Sequence, residues 1–195
     1  MKLFTLVLIV FLFTIPVVSQ TSTPKTIHFK ELLKFFPTKT PTGFTAEKPK
    51  GQSFASAGMS TSTASIEFVS PQKEKQLTTL ENGKEDSIDV DITWRITIEI
   101  TDYAGMGEGV FTSLQMMASV EFENETENGY EKSIVYNTFK GIEKLSAQEY
   151  SKSCSVQLIV GDRFLVTISG NGFADIALLH LFLKEIDLKK LQATK

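Results

Sequence analysis

The sequence predicts an α+β fold: a twisted antiparallel sheet built around one long strand at about 88–100, packed by a middle helix at about 109–119 and a C-terminal helix at about 173–185. Three observations carry that prediction. Ile88, Val90, Ile92, Trp94, Ile96, Ile98 and Ile100 alternate strictly with Asp89, Asp91, Thr93, Arg95, Thr97 and Glu99. Two further alternating runs, Cys154–Val160 and Phe164–Ile168, are joined at Gly161-Asp162. Val110, Phe111, Leu114, Met117 and Ala118 fall instead at helical spacing, as do the apolar residues from Phe173 to about Glu185.

Period-two alternation puts one face of the long strand on a core and leaves the other wet. A parallel strand buried on both faces would read as a continuous apolar run, so the sheet is antiparallel. At ~3.3 Å per residue the segment reaches about 43 Å, long enough to require strong twist or a bulge. The pair of runs around Gly161-Asp162 forms a β-hairpin. Phe29, Leu32, Leu33 and Phe36 give a short helix that Pro37 ends. Residues 38–51 hold two prolines and Gly43 and read as loop, with Phe44 as an anchor. Ala64, Ile66 and Phe68 suggest a first strand, residues 72–86 with Asn82-Gly83 a hairpin tip, and Tyr130–Phe139 another strand. Residues 144–150 are ambiguous, and Leu188 and Leu191 close the chain.

The organisation is simple. Residues 1–19 have the order of a secretory signal: Lys2, the uncharged apolar run Leu3–Ile15, then Pro16 and small or modest residues to Ser19. That run is shorter than the roughly 20 apolar residues of a spanning helix, and no later segment is long and apolar enough to span. Residues 20–27 are a Ser/Thr/Pro-rich flexible leader and 28–195 a single domain. Loss of Lys2 with the signal takes the net charge from −3 to −4, which argues against nucleic acid or anionic lipid as the main partner. A single Cys in an exported chain means no internal disulfide, so packing alone must hold the fold.

The inventory for chemistry is thin. Gly105, Gly107 and Gly109 resemble a nucleotide-binding loop only superficially, because the position required for a third glycine is Val110. Asp86, Asp89 and Asp91 invite a calcium reading, but no glycine-containing ligand loop follows and Arg95 shares their face. Cys154 is in phase with Val156 and Leu158 and reads as a small buried hydrophobe rather than a reactive thiol. His180 sits in an apolar helix and reads as a core histidine; the other histidine, His28, adjoins the leader. Two histidines and one cysteine leave little for a zinc site of that kind. No serine stands in a nucleophile motif. Trp94 reads as core, and Ser151-Lys152 and Asp162-Arg163 as turn material. No catalytic, cofactor-binding or metal residue is assigned, and no cofactor is expected. Asn124-Glu125-Thr126 matches the Asn-glycosylation sequon.

The block from Val160 to Gly170, followed by a helix and Ile186–Leu191, resembles the C-terminal half of an uncharacterised family of small bacterial exported proteins. The turn Pro41-Thr42-Gly43-Phe44 after a short helix is similar to their N-terminal half. Gln20 after the cleavage point resembles Bacteroidetes signal peptides, and Asp86-Ser87-Ile88 resembles the short O-glycosylation motif of exported proteins from that group. The order of elements also resembles the Mog1/PsbP-like α/β/α sandwich, which implies a binding or assembly role; fold alone does not license a function. The expectation is a soluble, periplasmic or secreted, non-catalytic binding or interaction module of the envelope, with an unknown protein or small ligand as partner. Two alternatives stand beside it. One is a hydrolase using Ser or the carboxylates Asp89, Asp91 and Glu99 with Arg95 in a concave site. The other is a carrier enclosing an apolar small ligand.

Overall fold

Backbone pairing in a computed structural model describing residues 25–79, 85–106, 108–148 and 151–194 extends the alternating segments well beyond their apolar cores. The expected signal peptide, the start of the expected leader, Leu80, the Asn82-Gly83 dipeptide, Gly107 and Tyr150 lie outside the described residues, as do the side chains of Glu108 and Met117. Among the described residues a short helix α1 (Phe29–Leu32) and a 3-10 turn (Leu33–Phe35) precede the strands. These are β1 (Thr45–Ala46), β2 (Lys50–Ser56), β3 (Met59–Thr79) and β4 (Glu85–Gly105). After helix α2 (Glu108–Ser119) come β5 (Glu123–Thr126), β6 (Gly129–Tyr136), β7 (Phe139–Gln148), β8 (Ser151–Val160) and β9 (Phe164–Asn171). Helices α3 (Ile176–Lys184) and α4 (Leu188–Gln192) close the chain.

Every ladder is antiparallel, in the order β1-β3-β4-β9-β8-β7-β6-β5, with β2 pairing β3 beside β1. The fold is therefore broadly α+β, a nine-stranded antiparallel sheet with a few short helices. Ala64, Ile66 and Phe68 of β3, Ile96, Ile98 and Ile100 of β4, Val156–Val160 of β8 and Phe164–Ile168 of β9 present alternate side chains to one core. That core is roofed by Leu32 and Phe35 from the N-terminal turns, Leu179, Phe182 and Leu183 from α3, and Leu188 and Leu191 from α4. Phe182 is central: its ring lies 4.9 Å from Phe68 and 5.5 Å, edge-on, from Phe44. Helix α2 rests on β7 and β8, with Phe111 against the ring of Tyr103. Tyr103 has the strand parity of Thr101, opposite to the core-facing Asp102.

Several expectations need correction. The long strand is 21 residues, not 13, because its outer part pairs with a polar stretch of β3 that reads as a tip. The first strand grows likewise from 64–68 to 59–79. Part of the 38–51 loop is strand, since β1 and the start of β2 bond to β3; both are exposed throughout and lack an apolar signal. Tyr130–Phe139 is a hairpin rather than one strand: Asn137, at φ 57°, turns β6 into β7. The helix expected at about 173–185 begins at Ile176, where Asp175 caps it by accepting bonds from Ala177 N (3.0 Å) and Leu178 N (3.3 Å). Val110 is exposed, although Phe111 and Ala118 of the same helix are buried as their spacing implies.

Candidate functional site

Ladder β4–β9 starts at Arg95↔Asn171, and ladder β1–β3 starts at Val69↔Thr45. Outside those points, among the described residues, 70–79 and 85–94 form strand pairs only with each other. The result is a two-stranded arm projecting roughly 30 Å from the sheet at ~3.3 Å per residue. Cross-strand partners share a face. One face, continuous with the core side, carries Ser70↔Trp94, Gln72↔Ile92, Glu74↔Val90 and Gln76↔Ile88. The other carries Pro71↔Thr93, Lys73↔Asp91, Lys75↔Asp89 and Leu77↔Ser87.

The apolar series thus leaves its roof. Ile96, Ile98 and Ile100 are fully buried, Trp94, Ile92 and Val90 are half-buried, and Ile88 is 49% exposed. At the root of the arm lies a cleft of about 330 Å³, lined by Glu74, Ile92, Trp94, Lys152, Phe173 and Asp175 among others. The Trp94 and Phe173 rings meet there at 5.1 Å, tilted by 39°, and Lys152 pairs with Glu74 across the opening. The cleft exists because the chain turns sharply out of β9. Gly172 sits at φ 88°, and a Cβ there would stand 2.8 Å from the Thr93 carbonyl oxygen. That turn ends β9 and leaves the outer edge of β4, beyond its root, without a strand neighbour among the described residues.

A second constellation lies on the core side of β6 and β7. The buried Glu143 accepts from Tyr130 Oη on Oε1 (2.7 Å) and stands 2.8 Å from His180 Nε2 through Oε2. Lys132 Nζ is 3.7 Å from Oε1 and 4.6 Å from the Tyr130 ring centroid. Burial works to raise the Glu143 pKa, but the bonds from Tyr130 and His180, with the electrostatic pull of His180 and Lys132, outweigh it and hold the carboxyl below its ordinary value. Burial, then the bond to Glu143, pushes the Tyr130 phenol above its usual range. A carboxylate made less basic and a phenol made less acidic are poor proton carriers near neutrality. Neither Glu143 nor His180 lines the clefts at the arm root, beside α2 or beside α4. The network fastens α3 to the sheet.

The residues singled out in the sequence do not converge. Asp89 and Asp91 are exposed and stand opposite lysines, Arg95 bonds Glu67 at 3.0 Å, and Glu99 is exposed between Ser65 and Thr167. Cys154 is buried, its Sγ 3.6 Å from the Asp175 carbonyl oxygen, and burial pushes its thiol pKa up to about 11. His180 is not the enclosed core histidine its neighbours suggest: its side chain is 28% exposed and bound to Glu143. Gly105 is a packing glycine, since a Cβ there would meet Ser60 Oγ at 1.9 Å. Asp162 accepts from Gln115, while Arg163 grips the fully buried Asp102 through Nε (3.0 Å) and Nη2 (2.5 Å). Asp102 also accepts from Ile27 N, and Arg163 donates to the Lys25 carbonyl, so this pair ties down the start of the domain. The sequon at Asn124 and the Asp86-Ser87-Ile88 motif are both exposed.

Sequence reasoning missed Glu143, Tyr130 and Asp102. For Asp102 a signal existed: it continues the phase of Ile96, Ile98 and Ile100, and a charge in a core series demands a partner. For Glu143 the signal needed the hairpin at Asn137, which sets its parity with Phe139 and Gly141. Comparison with models of protein families, with curated proteins and with solved structures finds no match to the chain.

Proposed function

We propose that this protein is a non-catalytic interaction module, exported to the periplasm or beyond the cell, that engages a protein partner through the β3–β4 arm. One observation carries the reading: core-type alternation continues past Trp94 through Ile92, Val90 and Ile88, and among the described residues neither a third strand nor a helix covers that stretch. The secretory signal in residues 1–19 supports the location. An α/β/α arrangement of the Mog1/PsbP-like kind is consistent with α2 meeting Tyr103 on the side away from the core, and it fits a binding or assembly role. The hydrolase alternative draws less support, because Asp89 and Asp91 face lysines and Glu99 stands apart. A carrier draws less too: the cleft at the arm root, about 330 Å³, lies at the bottom of the 300–1,000 Å³ range of ligand sites, and Lys73, Glu74, Lys152 and Asp175 line it beside the two rings.

The test is photocrosslinking in the producing cell. A crosslinking side chain at Val90 on the arm is compared with one at Val135, which is 69% exposed on β6. Discrete protein adducts are expected from position 90 and none from 135. Adducts of equal yield at both, or none at 90, would sink the arm reading.

A further inference from the structure

The two free edges of the arm differ in kind. Sheet edges attract other strands, and proteins blunt them with proline and lysine. The free edge of β3 carries both, as Pro71, Lys73 and Lys75. The free edge of β4 carries neither from Glu85 to Trp94. Its side chains are Ile88, Val90 and Ile92 on one face and Asp89 and Asp91 on the other, with Glu85 and Asp86 near the tip. An isolated two-stranded ribbon is marginally stable, so a third strand would complete both its backbone bonding and its burial.

We infer that the outer edge of β4 accepts an extended strand from another protein, one that alternates Lys or Arg with β-branched apolar residues. This inference rests on the arm being the contact surface. A strand added beside β4 places its side chains about 5 Å from those directly opposite. Cations on one of its faces then meet Asp89 and Asp91, and Val or Ile on the other meets Ile88, Val90 and Ile92. A residue placed past Ile92 reaches the root cleft between Trp94 and Phe173. The same charges disfavour a second copy of the chain. In two-fold antiparallel pairing of β4 edges centred on Val90, Asp89 of each copy faces Asp91 of the other, and like charges directly opposed are destabilising. Two β3 edges would likewise oppose lysines.

The full mature protein is titrated with a nine-residue peptide alternating lysine and valine, and with a twin carrying glutamate in place of lysine. Trp94 is the single tryptophan and reports on the root cleft, while hydrogen exchange reports on residues 86–93. A charge-swapped arm, K73D/K75D/D89K/D91K, keeps its internal cross-strand complement and serves as the variant. Expected are a change in Trp94 fluorescence and slowed exchange along β4 with the lysine peptide, roughly tenfold weaker binding of the glutamate twin, and reversed preference in the swapped arm. Equal binding of both peptides, binding of neither, or concentration-dependent self-association that the peptides leave unchanged would overturn the inference. Should Val90 still give adducts in the cell after such a result, the arm stands as a contact surface and only the basic strand falls.

Discussion

The inner and outer halves of β4 have the same grammar and opposite fates. Ile96, Ile98 and Ile100 are each 0% exposed, whereas Ile88, two turns of the same alternation away from Ile92, is 49% exposed. The difference lies in the neighbours. The inner half has β3 on one side, β9 on the other and a roof that includes Phe182 and Leu32. Among the described residues the outer half has β3 as its one strand neighbour, with Phe173 against Trp94 at its root. Alternation therefore specifies which side of a strand is apolar, and tertiary structure decides whether that side is covered. An apolar face left without cover among the described residues is the feature on which the proposed contact rests.

The largest test of the contrast is Ile96→Asp. A carboxylate at a position with no exposure, inside the hydrophobic core, costs on the order of 5 kcal/mol or more, comparable with the whole stability of a typical domain. The variant should lack a cooperative thermal transition and should expose Trp94 fluorescence to water at 25 °C. A melting temperature close to the parent's would mean that the inner half is not the core.

Much of this architecture is legible in the sequence where apolar residues mark the phase. The hairpin at Gly161, the middle helix and the inner half of β4 follow directly from periodicity. The outer arm does not, because Gln72, Glu74 and Gln76 present no apolar signal, and strand pairing there depends on the partner Ile92, Val90 and Ile88 across the ladder. Strands β1 and β2 escape for a related reason: they are edge strands exposed on both faces, held by backbone bonds to β3. The Glu143–His180 contact joins residues 37 apart, and nothing in a one-dimensional pattern brings a helix over a particular strand position. What the pattern does give is the anomaly of a charge in core phase, as at Asp102, and Arg163 answers it from the turn that otherwise reads as surface.

An intermediate effect separates the two halves by pH. Glu143 has its folded pKa below the ordinary value of 4.5, so its contribution to stability is present above that value and is lost as the pH falls through the lowered folded pKa. The body of the domain should weaken in that acidic window, and Glu143→Gln should flatten the melting temperature across it while lowering the plateau above it. Asp89→Asn with Asp91→Asn should leave the acid limb of the parent unchanged, since both side chains are exposed and charges there contribute little to stability. If the arm variant flattened the limb and Glu143→Gln did not, acid sensitivity would reside in the arm.

The smallest expected effect is the most informative about function. Ile88→Asp places a charge on the same face as Ile96→Asp, in a strand of identical alternation, yet it should shift unfolding in urea by no more than about 0.5 kcal/mol, as surface substitutions do. Its consequence should appear in association: fewer adducts from a crosslinker at Val90, because the partner would now have to bury a carboxylate beside Val90 and Ile92. A stability loss approaching that of Ile96→Asp would show that the outer face is already covered in the isolated protein, by a second copy or by the chain itself. In that case the two halves of β4 would be one continuous core, and the arm would have no free face to offer.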